Sequence, residues 1–222
     1  MKKTFLITGA AGFIGFHLCK KLIKENFKIV AIDNLNPYYS IHLKKARMEE
    51  IFKQGGDISF IDGDIEDMEF LERIFKEHKP EIVFNLAAQA GVRYSISDPI
   101  PFLKTNVIGF GNILEVCRKN DIEHLIYASS SSVYGGNKNL PYTEDSSVDH
   151  PVSLYAATKK SNELMAHAYS HLFDIPVTGL RFFTIYGPWG RPDMALSTFT
   201  KAIINDEPIE VFNNGDMVRD FT

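Results

Sequence analysis

Thr4-Phe5-Leu6-Ile7-Thr8 runs directly into Gly9-Ala10-Ala11-Gly12-Phe13-Ile14-Gly15, and the reading of this junction decides the fold. The first five residues are a short apolar run of the kind a buried strand shows. The three glycines permit a tight turn and let a pyrophosphate approach the backbone, with the N-terminus of the next helix facing the phosphates. Alone, such a trio also suits any helix-start loop. The second strand ends Val30-Ala31-Ile32-Asp33, which puts a carboxylate 18 residues after Gly15. That is near the spacing at which a carboxylate accepts from a ribose 2′-hydroxyl. It repels a 2′-phosphate, and no arginine stands beside it, so NAD is favoured over NADP. Asp33 also reads as a turn-starting residue ahead of Asn34.

Outward from this junction, apolar runs recur at 27–32, 58–61, 81–86, 124–129 and 177–183. Segments of helical period lie between them at 13–25, 42–53, 67–78, 102–119 and 153–173. Strands alternating with helices predict a parallel, doubly wound α/β sheet, because each parallel crossover needs a covering helix. Asp98-Pro99 and Pro151-Val152-Ser153 read as helix starts. After residue 184 the pattern changes at the turn-rich Gly187-Pro188-Trp189-Gly190-Arg191-Pro192. One helical stretch near 197–205 and a short apolar run at 209–212 follow.

The chain has 222 residues, 45% apolar and 23% charged, a composition that excludes disorder and a disulfide-stapled miniprotein. Twenty-four Lys and Arg against 28 Asp and Glu give a net charge of −4 with no basic block, so a nucleic-acid partner is not expected. Cys19 and Cys117 are too few for a disulfide framework and lack metal-ligand spacing, which points to a reducing cytoplasm and no metal. His167 and His171, spaced i, i+4, lack the glutamate of a zinc-protease motif. Met1-Lys2-Lys3 and the apolar run after it imitate a signal peptide. The glycines that interrupt the run and the lack of a small-residue cleavage site argue against one, and no stretch is long enough to span a bilayer.

Two further constellations carry chemistry. Tyr155 and Lys159 form Tyr-x-x-x-Lys in a predicted helix, one face presenting both side chains. A phenol is a poor base at neutral pH, and a neighbouring ammonium favours its phenolate. Ala128-Ser129-Ser130-Ser131-Ser132-Val133-Tyr134-Gly135 lies at the C-terminal end of a predicted central strand, where open α/β sheets bind ligands. A solvated turn is the commoner origin of a serine run.

With these motifs in view, the sequence resembles the extended short-chain dehydrogenase/reductase family, and within it the nucleotide-sugar 4-epimerases acting on UDP-glucuronate. The resemblance covers the whole chain and rests on 8–15, on Asn85-Leu86-Ala87-Ala88-Gln89-Ala90-Gly91-Val92-Arg93, on Ser153-Leu154-Tyr155-Ala156-Ala157-Thr158-Lys159, and on Leu180-Arg181-Phe182-Phe183-Thr184-Ile185-Tyr186-Gly187-Pro188. It implies an NAD-dependent epimerase working through a transient 4-keto sugar. Tyr155 is then the base, Lys159 its tuner and a ribose ligand, and Ser130 the hydroxyl on the sugar O4. Cofactor contacts are implied for Gly9, Gly12, Phe13, Ile14, Gly15, Asp33, Asn34, Asp64, Ile65, Leu86, Ala87, Ala88, Gln89, Asn106 and Ser129. Arg93, Ser131, Ser132, Thr184 and Arg191 are the candidates for gripping a sugar carboxylate, and Arg219 for the diphosphate. Ser131 and Ser132 stand where dehydratases and decarboxylases of the family carry an acidic side chain, which favours simple epimerisation. The family pattern continues past the last residues here. The resemblance therefore implies a Rossmann domain at 1–186 carrying the catalytic residues, and at 187–222 the start of a truncated substrate lobe. Two alternatives stay open: an NAD-binding module without turnover, or an epimerase for a neutral or N-acetylated UDP-sugar. A homodimer built through a four-helix interface by 102–119 and 153–173 is likewise implied, as is a role in polysaccharide biosynthesis.

Overall fold

The computed structural model describes residues 2–222 except Met217 and Arg219. Six parallel strands, β1 (Thr4–Thr8), β2 (Lys28–Asp33), β3 (Asp57–Asp62), β4 (Ile82–Asn85), β5 (His124–Ala128) and β6 (Val177–Leu180), form one sheet in the order β3-β2-β1-β4-β5-β6. This is the predicted Rossmann-type arrangement. β1 is buried along its whole length and feeds two cores. Leu6 packs with Val30, Val83 and Leu125 on one face, and Phe5 and Ile7 with Ile29 and Ala31 on the other. Helices α1 (Phe13–Lys24) and α2 (Ile41–Phe52) cover the second face through Phe16, Cys19, Leu22, Met48 and Ile51. The first face is covered by α3 (Met68–His78), α5 (Phe110–Lys119) and α6 (Leu154–Phe173). A short α4 (Tyr94–Ser97), absent from the sequence reading, precedes α5, and α7 (Ala195–Ile204) follows β6.

Local chemistry sets the helix starts. Asp67 accepts from the Phe70 N–H at 3.0 Å and Ser153 from the Ala156 N–H at 3.1 Å, capping α3 and α6. At α1 the N-cap is Gly12, whose position provides no side-chain cap.

Two expectations need correction. The helix expected over 102–119 is an eight-residue π-helix, Phe102–Gly109, continued by α5. Its wider turn goes with a buried Asn106 that bonds Gln89, past the end of β4, and Thr158 of α6. The strand expected to reach 183 ends at Leu180, because the Phe182 N–H turns back onto the Leu180 carbonyl at 3.0 Å. The short apolar run at 209–212 leads into a 3₁₀ turn, Phe212–Gly215. No helix of the described residues is long and apolar enough to cross a membrane.

Candidate active site

Strand order reverses between β2 and β4 on either side of β1, so the strand ends leave a crevice there. Register brings Thr8 beside Asn85 and Asn85 beside Tyr127. The resulting cleft holds about 2050 Å³ and is lined from the glycine loop to α7.

The glycine loop is built so that nothing larger fits. Gly9 has φ +69°, and a Cβ there would lie 2.7 Å from the Ala87 nitrogen. A Cβ on Gly15 would lie 2.3 Å from the Gly9 carbonyl oxygen. Beside this loop, Asp33 is buried and accepts from the Ala11 N–H at 3.0 Å and the Leu35 N–H at 2.8 Å. Burial pushes its carboxyl up from the ordinary value, opposed by Lys44, the two N–H donors and Arg47. In sequence no arginine stands beside Asp33. In space α2 brings Lys44 and Arg47 to it, a proximity that no local pattern announces. Both cations are engaged elsewhere: Lys44 Nζ donates to the Asn36 carbonyl at 2.8 Å, and Arg47 to backbone carbonyls and the Tyr39 hydroxyl. Asn34 donates to Asp64 at 2.8 Å, and Ile65 is buried beneath Gly109.

Leu86, Ala87, Ala88 and Gln89 line the cleft where β4 ends. Asn106 is absent from the lining. It is buried, accepts from the Gln89 N–H at 2.8 Å and donates to the Gln89 carbonyl and the Thr158 hydroxyl, both at 3.0 Å. Thr158 in turn donates to the Tyr155 carbonyl at 2.8 Å. Asn106 thus ties the β4 end to the Tyr155 turn of α6.

The serine run is no solvated turn. Ser129 and Ser130 are buried, and Ser131–Tyr134 forms a 3₁₀ turn held by the Ser131 N–H on the Phe182 carbonyl at 2.9 Å. Ser130 caps that turn by accepting from the Ser132 N–H at 3.1 Å. Ser129 donates to Glu163 at 2.6 Å, a partner sequence reasoning missed although Glu163 continues the four-residue step from Tyr155 and Lys159.

Tyr155, Lys159, Ser129, Ser130, Ser131, Ser132, Arg93, Thr184 and Arg191 all line the same cleft. Lys159 is buried, donates to the Ala128 carbonyl at 2.8 Å, and burial lowers its amine to about 8. Tyr155 behaves opposite to the expectation of a phenol held down by Lys159. Burial raises it, and the groups that oppose the rise are the Ser130 hydroxyl and the Arg191 guanidinium. The reason is placement, since the Lys159 ammonium is turned to a backbone carbonyl. Arg191 forms a fork with Asp193, Nε to Oδ1 at 3.0 Å, and Tyr38 donates to the same carboxylate at 3.2 Å. Arg219 lies outside the described residues. Phe183 stacks with Tyr134 and Tyr142 in a small core.

A dinucleotide suits these residues. The three glycine positions of the loop are closed to a Cβ, α1 starts on uncapped N–H groups, and a buried carboxylate marks the β2 end. Residues 5–222 match the NAD dependent epimerase/dehydratase family. The chain belongs to that family. It is 58% identical to Protein CapI of Staphylococcus aureus over 217 residues, covering 98% of this chain and 64% of CapI. It is 48% identical over 218 residues to a probable UDP-glucuronate 4-epimerase of Rhizobium meliloti, again covering 98% of this chain and 64% of that protein. The crystal structure of UDP-glucuronic acid 4-epimerase from Bacillus cereus, in complex with UDP-glucuronic acid and NAD, superimposes with a TM-score of 0.91 at 36% identity, over 99% of this chain and 68% of that one. The chain therefore spans just under two thirds of the length of the curated relatives it matches. Within an epimerase/dehydratase, a fixed phenol, a buried amine and a guanidinium around one cleft are equipped to move a proton on a hydroxyl and to hold an anion.

Proposed function

We propose that this chain carries the cofactor and proton-transfer machinery of an NAD-dependent UDP-sugar 4-epimerase that converts UDP-glucuronate into UDP-galacturonate. The observation that carries the reading is the meeting of Tyr155, Lys159 and Arg191 on one cleft with the glycine loop. Bound NAD supplies a hydride acceptor for C4 and a donor to the opposite face of the sugar. Tyr155 takes the O4 proton as that carbon is oxidised and returns it on reduction. Ser130 holds O4, and Lys159 keeps the phenol and the ribose in place. Glycines 9, 12 and 15 with Phe13 and Ile14 receive the pyrophosphate, and Asp33, Asn34, Asp64 and Ile65 the adenosine end.

Arg191, Arg93, Ser131, Ser132 and Thr184 grip the sugar carboxylate, with Arg219 on the diphosphate. A planar guanidinium fork meets both oxygens of a carboxylate. The 4-keto form of this sugar is a β-keto acid, so a firmly held carboxylate also protects it from losing CO₂. No acidic side chain stands at 131 or 132 to serve dehydration or decarboxylation.

The Rossmann part is assigned to 1–186 and a substrate lobe begins at 187. Exposed Leu103 and Ile108 of the π-helix and exposed Leu164 of α6 support a homodimer through a four-helix interface. The setting is cytoplasmic and the product a precursor for polysaccharide. A second reading, an NAD-binding module without turnover, draws on α7, none of whose residues is buried.

NMR of UDP-glucuronate incubated with the chain and NAD⁺, beside Tyr155→Phe, separates the two. The C4 epimer is expected with the wild type and a loss of about 10²- to 10⁴-fold with the variant. Binding of NAD without any epimer, in the presence of UDP-glucuronate, UDP-glucose and UDP-N-acetylglucosamine, overturns the epimerase reading in favour of the module.

A further inference from the structure

Arg47 of α2 is fully buried, yet none of its hydrogen-bond acceptors is a carboxylate. Its five N–H donors are all used. Nη1 donates to the Ala11 carbonyl at 2.9 Å and the Tyr39 hydroxyl at 2.7 Å. Nε and Nη2 donate to the Trp189 carbonyl at 3.1 and 2.6 Å, and Nη2 also to the Gly190 carbonyl at 3.2 Å. Burying a cation costs several kcal/mol, and here the nearby Asp33 carboxylate acts on it through space without a hydrogen bond. An aliphatic side chain would fill the space without that cost, but would leave the carbonyls of residues 11, 189 and 190 without this donor.

The two ends of this bridge are functionally unlike. Ala11 sits in the glycine loop, and its N–H is already held by Asp33 at 3.0 Å, so one residue is gripped from both sides. Trp189 and Gly190 directly precede Arg191, which faces Tyr155 across the cleft. Trp189 has φ +63°, a left-handed backbone uncommon for a bulky residue, which needs surrounding contacts to persist. Contacts from the cofactor half supply three of these, the Arg47 fork, the Phe16 ring at 5.5 Å and His17 on the Pro188 carbonyl at 2.9 Å, and the Gly190 N–H closes the turn on the Gly187 carbonyl at 3.1 Å.

We infer that Arg47 is a positioning residue that couples occupancy of the glycine loop to the placement of Arg191. The coupling rests on the proposal that the loop holds NAD. A dinucleotide that stiffens the loop at Ala11 fixes the arginine, which fixes the Trp189–Gly190 backbone and hence the anion-gripping side chain beside it. Linkage makes the effect reciprocal: whatever immobilises residues 189–191 tightens the grip on the dinucleotide.

Trp189 is the chain's only tryptophan and is not part of the cleft lining, so its emission reports on this bridge and not on direct contact with the ligand. The experiment titrates the full chain with NAD⁺, following binding by calorimetry and the Trp189 emission maximum by fluorescence, for wild type, Arg47→Met, Arg47→Lys and Tyr39→Phe. Wild type is expected to shift its emission with the calorimetric midpoint. Arg47→Met is expected to bind NAD⁺ about tenfold more weakly, as loss of a charged hydrogen bond implies, and to show no shift at saturation. Arg47→Lys, which keeps charge but not the fork, is expected to lose the shift as well, and Tyr39→Phe to retain it in reduced size. A purely structural arginine would lower the melting temperature of Arg47→Met and leave the shift intact, which overturns the inference. A wild type that binds NAD⁺ without any shift overturns it too while leaving the cofactor reading standing. A wild type that binds no NAD⁺ overturns both. Should Arg47→Met fail to fold, a Tyr39→Phe variant with an undiminished shift overturns the bridge.

Discussion

Arg181 closes a two-bond fork on Glu163, Nε to Oε1 and Nη2 to Oε2, each at 3.0 Å. Glu163 is the third residue, after Tyr155 and Lys159, on one face of α6, and it also accepts from the Ser129 hydroxyl at 2.6 Å. Arg181 further donates to the Tyr134 hydroxyl at 3.3 Å and the Glu144 carbonyl at 3.1 Å. One carboxylate therefore ties the helix bearing the phenol to the serine segment and to the chain leaving β6.

Glu163→Gln keeps the shape and removes the charge. Breaking one side of a partly buried ion pair is expected to cost about 2–3 kcal/mol, the lower range because both side chains retain some solvent contact. Burial acts to raise the Glu163 carboxyl, but the bonds from Arg181 and Ser129 bring it below its ordinary 4.5. Its contribution is thus present above that value and lost as pH falls through the lowered one. Urea denaturation at pH 7 should show the full difference from wild type, and at pH 3 a smaller one. Equal stability at pH 7 would show the fork to be screened by solvent.

Lys159 makes stability depend on pH in the opposite range. Its amine falls from 10.5 to about 8 because burial disfavours the ammonium. Below pH 8 the group is protonated in both folded and unfolded chains, and the folded state bears the whole penalty. Between about 8 and 10.5 the unfolded chain binds the extra proton, so stability rises with pH, and above 10.5 the penalty is gone. Lys159→Met removes the penalty, worth at most about 3 kcal/mol at 1.36 kcal/mol per unit, offset by the Ala128 carbonyl left without its donor. Denaturation of both proteins from pH 7 to 10 should show wild type gaining on the variant as pH rises. A constant difference would mean that Lys159 titrates as if in water.

The α/β class, the six strands and the glycine-loop geometry were legible because each is a local pattern: an apolar run, a helical period, three small residues at a turn. Tyr155 and Lys159 were legible for the same reason, being one helical turn apart. What escaped was assembled from distant segments. Arg47 meets residues 11 and 189–190, Asp193 meets Tyr38, and Asn106 reaches its partners through a π-helix that an apolar stretch does not distinguish from an α-helix. The fall of the Lys159 amine and the rise of the Tyr155 phenol follow from burial, which spacing alone does not report.

Gly15→Ala tests the loop itself. The added Cβ would lie 2.3 Å from the Gly9 carbonyl oxygen and 2.8 Å from the Ala10 Cα, both backbone atoms without a rotamer to yield. The loop must shift, at a cost of about 1–3 kcal/mol for overpacking. Because Gly9 already abuts Ala87, the displacement is expected towards the cleft, where a pyrophosphate would lie. Calorimetry should find NAD binding lost while circular dichroism stays that of the wild type. Unaltered affinity would show that the loop relaxes away from the ligand.

Asp193 occupies the guanidinium that the proposed substrate carboxylate needs. Asp193 fills the Nε–Nη2 edge of Arg191 while taking a further bond from Tyr38 at 3.2 Å, and leaves the outer Nη edge. An incoming carboxylate must displace this neighbour or take the outer Nη edge beside a like charge. Asp193→Asn removes both the competing fork and the repulsion. Partly exposed ion pairs contribute up to about 1 kcal/mol, so UDP-glucuronate should bind the NAD-loaded variant about three- to fivefold more tightly. UDP-glucose, which brings no carboxylate, should bind both proteins equally. Weaker binding of UDP-glucuronate alone would reverse the role of Asp193, making it the residue that holds Arg191 ready for the acid.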